Sequence, residues 1–370
     1  MTYLNVGWCA PQDTGYFSEL VVTARLGIQA VAILFLKKEK RMPVCITGMH
    51  RSGTSMVAKM LNSCGLRLGA ESALVAPSRD NPGGYLENKN FVSINDEILG
   101  EFGNSWDYPR RLPDGWQFDQ KILRYGARVE VLLQGLRDHE PWGWKDPRTC
   151  LTLPFWMSIL PQTKVVVCLR NPLEVVLSLH RRKPPKYTIG LTPWRVYDLL
   201  HAPFSSLRQR LTPHPLGFTA WKAGNKVEAA FTSRTRQNSS LRHLGLALTK
   251  RYDQLDYLLK LRRRKPLSYR IGLQLWEIYN QRILEFTCPQ SRLITHYGAY
   301  FSNPQGELRR VLNFLEMPAS DELIGRGCAT AVAGLRHHRT TIPQLKKAGV
   351  LAGVRELYRR LCEESEFVEG

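Results

Sequence analysis

The sequence predicts an α/β fold, a parallel sheet flanked by helices, and three observations carry that reading. An apolar run at residues 43–46 enters a loop bounded by Gly48 and Gly53 and then a helical pattern. The segment Lys164–Leu169 (KVVVCL) is apolar without alternation, as expected of a parallel strand buried on both faces. Residues 292–297 repeat that theme, and each of the three runs is followed by a helical pattern, so ligands are expected beyond the carboxyl ends of the strands.

The first loop makes the fold a P-loop type. Its glycines let successive amide N–H groups turn inward, the helix beginning near Thr54 adds its positive end, and Arg51 adds a full charge. A phosphate ester is the expected ligand. The nucleoside-triphosphatase pattern places Lys directly after the second glycine, where this chain has Thr54, and the cation lies inside the loop as Arg51. ATP hydrolysis is therefore disfavoured.

The following helix carries Met56, Val57, Met60, Leu61 and Cys64 on one face and stops at Gly65. Residues 77–88 are dense in turn formers and lead into a helix expected from about Asn90 to Phe102. Residues 142–148 (WGWKDPR) read as a loop of mixed charge ahead of an apolar stretch at 151–160. After Arg170, Asn171 suits an N-cap, Pro172 the first helical position, and Glu174 a capping box. Asn303 and Pro304 open a helix with Leu308, Val311, Leu312 and Leu315 along one face.

A direct repeat interrupts this plan. Residues 181–198 (RRKPPKYTIGLTPWRVYD) align with 263–280 (RRKPLSYRIGLQLWEIYN) with ten identities in eighteen, and the similarity fades on both sides. The expected organisation is an N-terminal appendage at 1–41, a core domain formed by 42–183 and 266–345, a basic and poorly patterned insertion at 184–265, and a C-terminal helix or tail at 346–370. Residues 183–264 hold 16 Lys or Arg against 4 Asp or Glu, a net +12 of the chain's +20, so the basic excess belongs to one segment. A specific nucleic-acid partner loses its main support.

The eight cysteines include no C-x-x-C pair, so neither a zinc site nor a disulfide framework is indicated, and a reducing, cytoplasmic setting is expected. Cys45 and Cys168 read as small buried hydrophobes. Residues 20–36 are apolar but carry Arg25 and Gln29 and are followed by a basic cluster, so membrane association is not expected.

With the loop and Arg170 both in view, the chain resembles the sulfotransferase family that uses 3′-phosphoadenosine-5′-phosphosulfate (PAPS), and especially its bacterial-type members. The 5′-phosphosulfate loop, like K-S-G-T-T, is matched by Arg51-Ser52-Gly53-Thr54-Ser55. The 3′-phosphate element, like R-N-x-x-[DE]-V-x-x-S, is matched from Arg170 to Ser178. D-N-P-x-G-Y-x-E, W-K-D-P-R and a late L-R-H-x-R match residues 80–87, 144–148 and 335–339. The late Y-E-D-L…N-P segment is matched only by Tyr297 and by Asn303-Pro304, its acidic pair being replaced by Gly298 and Ala299.

The resemblance implies sulfuryl transfer to a hydroxyl or amine of a carbohydrate, lipid or small molecule, releasing adenosine 3′,5′-bisphosphate with no metal required. Gly48, His50, Arg51, Ser52, Gly53, Thr54 and Ser55 would hold the 5′ end of the donor. Arg170 and Ser178 would grip the 3′-phosphate, Tyr297 would lie near the adenine, and Arg336 and Arg339 would clamp a phosphate or form a solvated basic turn. Glu87 is the candidate general base, Arg51 absorbs charge on the departing phosphate, and Lys145 either neutralises the sulfuryl oxygens or pairs with Asp146. A P-loop small-molecule kinase and a catalytically silent nucleotide-binding relative are the alternatives.

Overall fold

The computed structural model describes residues 42–77, 81, 84–137, 139–181, 267–330 and 340–367. The appendage, the insertion, the first repeat copy beyond Arg181, and Arg336 and Arg339 lie outside these residues.

Four strands form one parallel sheet in the order β2-β1-β3-β4: β1 (Val44–Thr47), β2 (Gly143–Lys145), β3 (Lys164–Leu169) and β4 (Arg292–His296). Val44 of β1 faces Gly143 on one side and Lys164 on the other, and Leu169 of β3 pairs with His296 of β4. The segment expected to be a loop at 142–148 thus begins as the edge strand β2. Its brevity and its single β-branched-free sequence, Gly-Trp-Lys, hid the strand; Gly143 is required because a Cβ there would lie 2.3 Å from the Val44 carbonyl oxygen.

Side chains alternate across the sheet. Val44, Ile46, Val166 and Cys168 pack against α1 (Thr54–Ser63), α7 (Pro304–Phe314) and α8 (Asp321–Ala329) through Val57, Leu61, Leu308, Val311, Leu312 and Ile324. Cys45, Val165, Val167, Leu169 and Ile294 face the opposite layer. That layer contains α2 (Lys89–Glu101), α3 (Gly126–Arg137), α4 (Thr149–Ile159), α5 (Pro172–Arg181), α6 (Leu267–Phe286) and α9 (Ala352–Glu364). Phe91, Trp144 and Trp156 stack in its centre, with ring centroids 4.8 to 5.5 Å apart.

Local chemistry explains the helix ends. Asn88 caps α2 by accepting from the Asn90 amide, and Asn303 caps α7 by accepting from Gly306. Asn171 accepts from the Leu173 amide as expected of a cap, but the Glu174 carboxylate goes elsewhere, to Arg170 and to the Thr340 amide. The second repeat copy forms most of α6, where Ile271, Trp276 and Tyr279 are fully buried and Gly272 lets Val176 of α5 approach. Cys45 and Cys168 are buried free thiols, as expected. Among the described residues no helix is long and apolar enough to cross a membrane.

Candidate active site

The loop after β1, the residue after β3 and the residue after β4 converge at the carboxyl edge of the sheet. Gly48 and Gly53 both adopt positive φ, +139° and +97°. Neither tolerates a side chain: a Cβ at Gly48 would lie 2.4 Å from the Cys168 carbonyl oxygen, and one at Gly53 would lie 2.5 Å from Tyr297 Cδ2. Ser52 is buried and donates to the Met49 carbonyl, which closes the loop on itself. Thr54 starts α1, whose first turn points its amides back toward the loop.

Arg51 reaches out of the loop. It has φ +72°, and its Nε donates to Ser178 Oγ at 2.9 Å, so the guanidinium reaches across to α5. Arg170 does not touch Ser178 directly. Its Nη1 donates to the Arg51 carbonyl at 3.2 Å, its Nε pairs with Glu174 at 2.9 Å, and its guanidinium lies 4.3 Å from the centre of the Tyr297 ring. Arg51 thus touches both Arg170 and Ser178, the two residues expected to grip one phosphate from two sides. Trp276 of α6 locks the backbone by donating to the Arg170 carbonyl.

Tyr297 is buried, with one face under Arg170 and its edge against Gly53. It packs against the loop and the arginine together. Its backbone amide continues the sheet by donating to the Leu169 carbonyl.

At the other end of the loop stands a charge cluster. Lys145 Nζ donates to Glu87 Oε1 at 2.6 Å and to Ser55 Oγ at 3.2 Å, and the two charged side chains are 2% and 11% exposed. Lys145 thus pairs with Glu87 across the sheet edge instead of with its neighbour Asp146. Asp146 is buried with both oxygens engaged: Oδ1 accepts from the Arg148 amide and guanidinium, and Oδ2 accepts from Asn95. Arg148 also binds Asp96 at 2.7 Å and approaches Glu87 at 4.0 Å. Burial opposes the Arg148 charge, but Asp146, Asp96 and Glu87 together hold its pKa above the ordinary value.

His50 lies inside the loop with its ring 4.5 Å from Trp106 and 6.0 Å from Tyr279. Tyr279 is fully buried, which pushes its phenol pKa up, and its hydroxyl donates to the Trp106 carbonyl at 2.7 Å. Sequence reasoning assigned no task to Arg148, Asn95, Trp106 or Tyr279. Arg148 was within reach, since it closes the W-K-D-P-R run; Trp106 and Tyr279 carry no local signal because they meet only after folding.

The glycine loop, the Arg51–Arg170 contact and the Lys145–Glu87 pair thus stand together at the carboxyl edge of the sheet. A model of the sulfotransferase family matches residues 43–202. Among solved structures, the chain is similar to a sulfotransferase domain from the curacin biosynthetic pathway, with 14% identity over 90% of this chain and 100% of that one and a TM-score of 0.38. It is also similar to a sulfotransferase domain from the Synechococcus PCC 7002 olefin synthase, with 15% identity, 90% and 96% coverage and a TM-score of 0.39. A sulfotransferase from Alicyclobacillus acidocaldarius gives 13% identity, 89% and 97% coverage and a TM-score of 0.37. No curated protein matches.

Proposed function

We propose that this chain, whose residues 43–202 match a model of the sulfotransferase family, transfers a sulfuryl group from PAPS to an acceptor hydroxyl or amine. The observation that carries the donor assignment is the contact of Arg51 with Ser178 on one side and with Arg170 on the other, directly beside the glycine cradle. That arrangement offers one anion site at the Gly48–Gly53 amides and a second at the arginine pair, as a nucleotide with phosphates at both ends requires. The two glycine positions that a Cβ would fill fit a phosphosulfate approaching the backbone closely.

PAPS, when bound, supplies the activated sulfuryl group and a leaving phosphate. Ser55 and the loop amides orient its 5′ end, and Lys145, held between Glu87 and Ser55, provides positive charge where the sulfuryl oxygens would lie. Drawing Lys145 toward Ser55 releases Glu87 Oε1 to take the acceptor proton. The Arg148 guanidinium, 4.0 Å from the other oxygen of Glu87, keeps a positive charge beside the carboxylate while Lys145 moves. The free cysteines among the described residues support a reducing, cytoplasmic setting.

Transfer of labelled sulfate from PAPS tests the reading. Arg170→Ala is expected to raise the KM for PAPS, and Glu87→Gln to lower kcat by about a hundredfold or more. Unchanged turnover in the Glu87 variant removes it as the base, and binding of adenosine 3′,5′-bisphosphate without transfer to any acceptor favours a silent relative.

A further inference from the structure

Two side chains at the start of α5 close on one residue far along the chain. The Thr340 amide donates to Glu174 Oε1 at 3.0 Å and the Thr340 carbonyl accepts from Asn171 Nδ2 at 2.8 Å, so both backbone groups of that residue are engaged. Asn171 does this and still caps α5, because its Oδ1 serves the Leu173 amide. Glu174 is not spent on capping. Its other oxygen, Oε2, accepts from Arg170 Nε at 2.9 Å, and Asn171, Glu174 and Arg170 are all buried, which keeps these contacts strong.

Thr340 is itself firmly founded. It leads into a short helix, Ile342–Lys347, closed by a capping box between Thr341 and Gln344, and Leu345 of that helix is fully buried in the core. A line of contacts therefore runs from the core through the Thr340 amide and the Glu174 carboxylate to the Arg170 guanidinium. On its other side the guanidinium gives Nη1 to the Arg51 carbonyl and lies over Tyr297. With Nε and Nη1 both engaged the planar fork has one orientation, and Nη2, which bonds to none of the described residues, is the arm left for a ligand.

Charge alone argues against a carboxylate at this place. Arg51 and Arg170 are both assigned to the 3′-phosphate, and Glu174 offsets one of those two positive charges. Removing Glu174 would tighten nucleotide binding if charge decided, and loosen it if direction decided. Direction decides here, because hydrogen bonds weaken steeply with misalignment and Arg170 without its Nε partner is a buried cation short of an acceptor.

We propose that Glu174 is a positioning residue for the nucleotide site: by bridging Arg170 Nε and the Thr340 amide it fixes the arginine in the direction that a 3′-phosphate needs. The inference rests on the donor assignment above. Glu174 touches no substrate and takes no proton; it acts only through Arg170.

Calorimetric titration of the full chain with adenosine 3′,5′-bisphosphate and with adenosine 5′-monophosphate tests this, since a merely structural residue would change both affinities alike. Glu174→Gln is nearly isosteric but turns an amide NH2 toward one of the two donors. It is expected to lower the bisphosphate affinity about tenfold, the loss of one charge-assisted hydrogen bond, with the monophosphate affinity changed about twofold or less. In an Arg170→Ala background the same substitution is expected to change the preference about twofold or less, because its effect passes through Arg170. Glu174→Asp covers the case in which the glutamine variant fails to fold: it keeps the charge but sets the carboxylate back by about 1.5 Å, one carbon–carbon bond, which stretches both contacts past hydrogen-bond length. A loss of preference of about threefold or more is expected. If the parent prefers the bisphosphate and either Glu174 variant keeps or strengthens that preference, or loses both ligands equally, the positioning role is overturned while the donor assignment stands. If the parent itself shows no preference, the donor assignment falls and the proposal with it.

Discussion

Replacing Gly53 by alanine probes the point where the loop, β4 and Arg170 meet. The residue holds φ +97°, and the new Cβ would sit 2.5 Å from Tyr297 Cδ2 and 3.1 Å from Cε2. The left-handed backbone costs an L-residue about 1–2 kcal/mol. Relieving the overlap adds about 1–3 kcal/mol, the usual cost of overpacking. Gly53→Ala should therefore destabilise the fold by about 2–5 kcal/mol. The Tyr297 ring cannot retreat without leaving Arg170, which lies 4.3 Å over it, so nucleotide affinity should fall as well. Tyr297→Ala removes a buried ring at a cost of about 3–5 kcal/mol, but it also removes the overlap. The double variant should then be more stable than the sum of the singles predicts, by about 1–3 kcal/mol, leaving only the backbone term of the glycine replacement. Urea unfolding of the four proteins measures this cycle. Strict additivity would refute the claim that Tyr297 buttresses the loop through Gly53.

Three further outcomes are expected. Deleting residues 184–265 joins Lys183 to Pro266 and preserves α6; the shortened chain should fold and bind adenosine 3′,5′-bisphosphate with a Kd within about threefold of the full chain, and loss of folding would show that the segment is integral. Lys145→Met should cost about 3–5 kcal/mol in urea unfolding because it strands the buried Glu87 carboxylate, and adding Glu87→Gln should recover part of that; a single-variant cost below about 1 kcal/mol would contradict the burial argument. Burial pushes the Cys150 thiol up to about 12 and also raises Cys45 and Cys168, so at pH 8 these three should resist iodoacetamide until the protein unfolds, and rapid native labelling of any of them, read by mass spectrometry, would refute the packing.

Much of the loop and of the strand-to-helix transitions is legible because their signals are local. Gly48, Arg51 and Gly53 stand within one loop, and the strand-to-helix transitions at Arg170 and Asn303 carry their own caps. What was not legible depends on long-range contact. The strand β2 is three residues long and contains no periodicity to read. The sequence leaves Lys145 either facing the sulfuryl oxygens or pairing with its neighbour Asp146, whereas the sheet edge brings Glu87 to it from 58 residues away. The contact of Arg51 with Ser178 is equally hidden, because nothing in the sequence shows that α5 presents Ser178 to the loop.

The direct repeat illustrates the same limit from the other side. Its two copies look equivalent by identity, yet only one suits the buried slot of α6. Leu275, fully buried in mid-helix, corresponds to Pro193 in the first copy, and a proline there costs about 3 kcal/mol or more. Asn280, which donates to the Trp276 carbonyl, corresponds to Asp198, which has no N–H to give. Packing, more than similarity, decides which copy completes the core.

The central claim is that this chain holds a nucleotide by phosphates at both ends. Calorimetric titration with adenosine 3′,5′-bisphosphate against adenosine 5′-monophosphate tests it most directly, since the two ligands differ only in the 3′-phosphate that Arg51, Arg170 and Ser178 are assigned to hold. One or two charge-assisted hydrogen bonds predict a preference of at least about tenfold for the bisphosphate. Equal affinities, or tighter binding of ATP with magnesium than of the bisphosphate, would contradict the account.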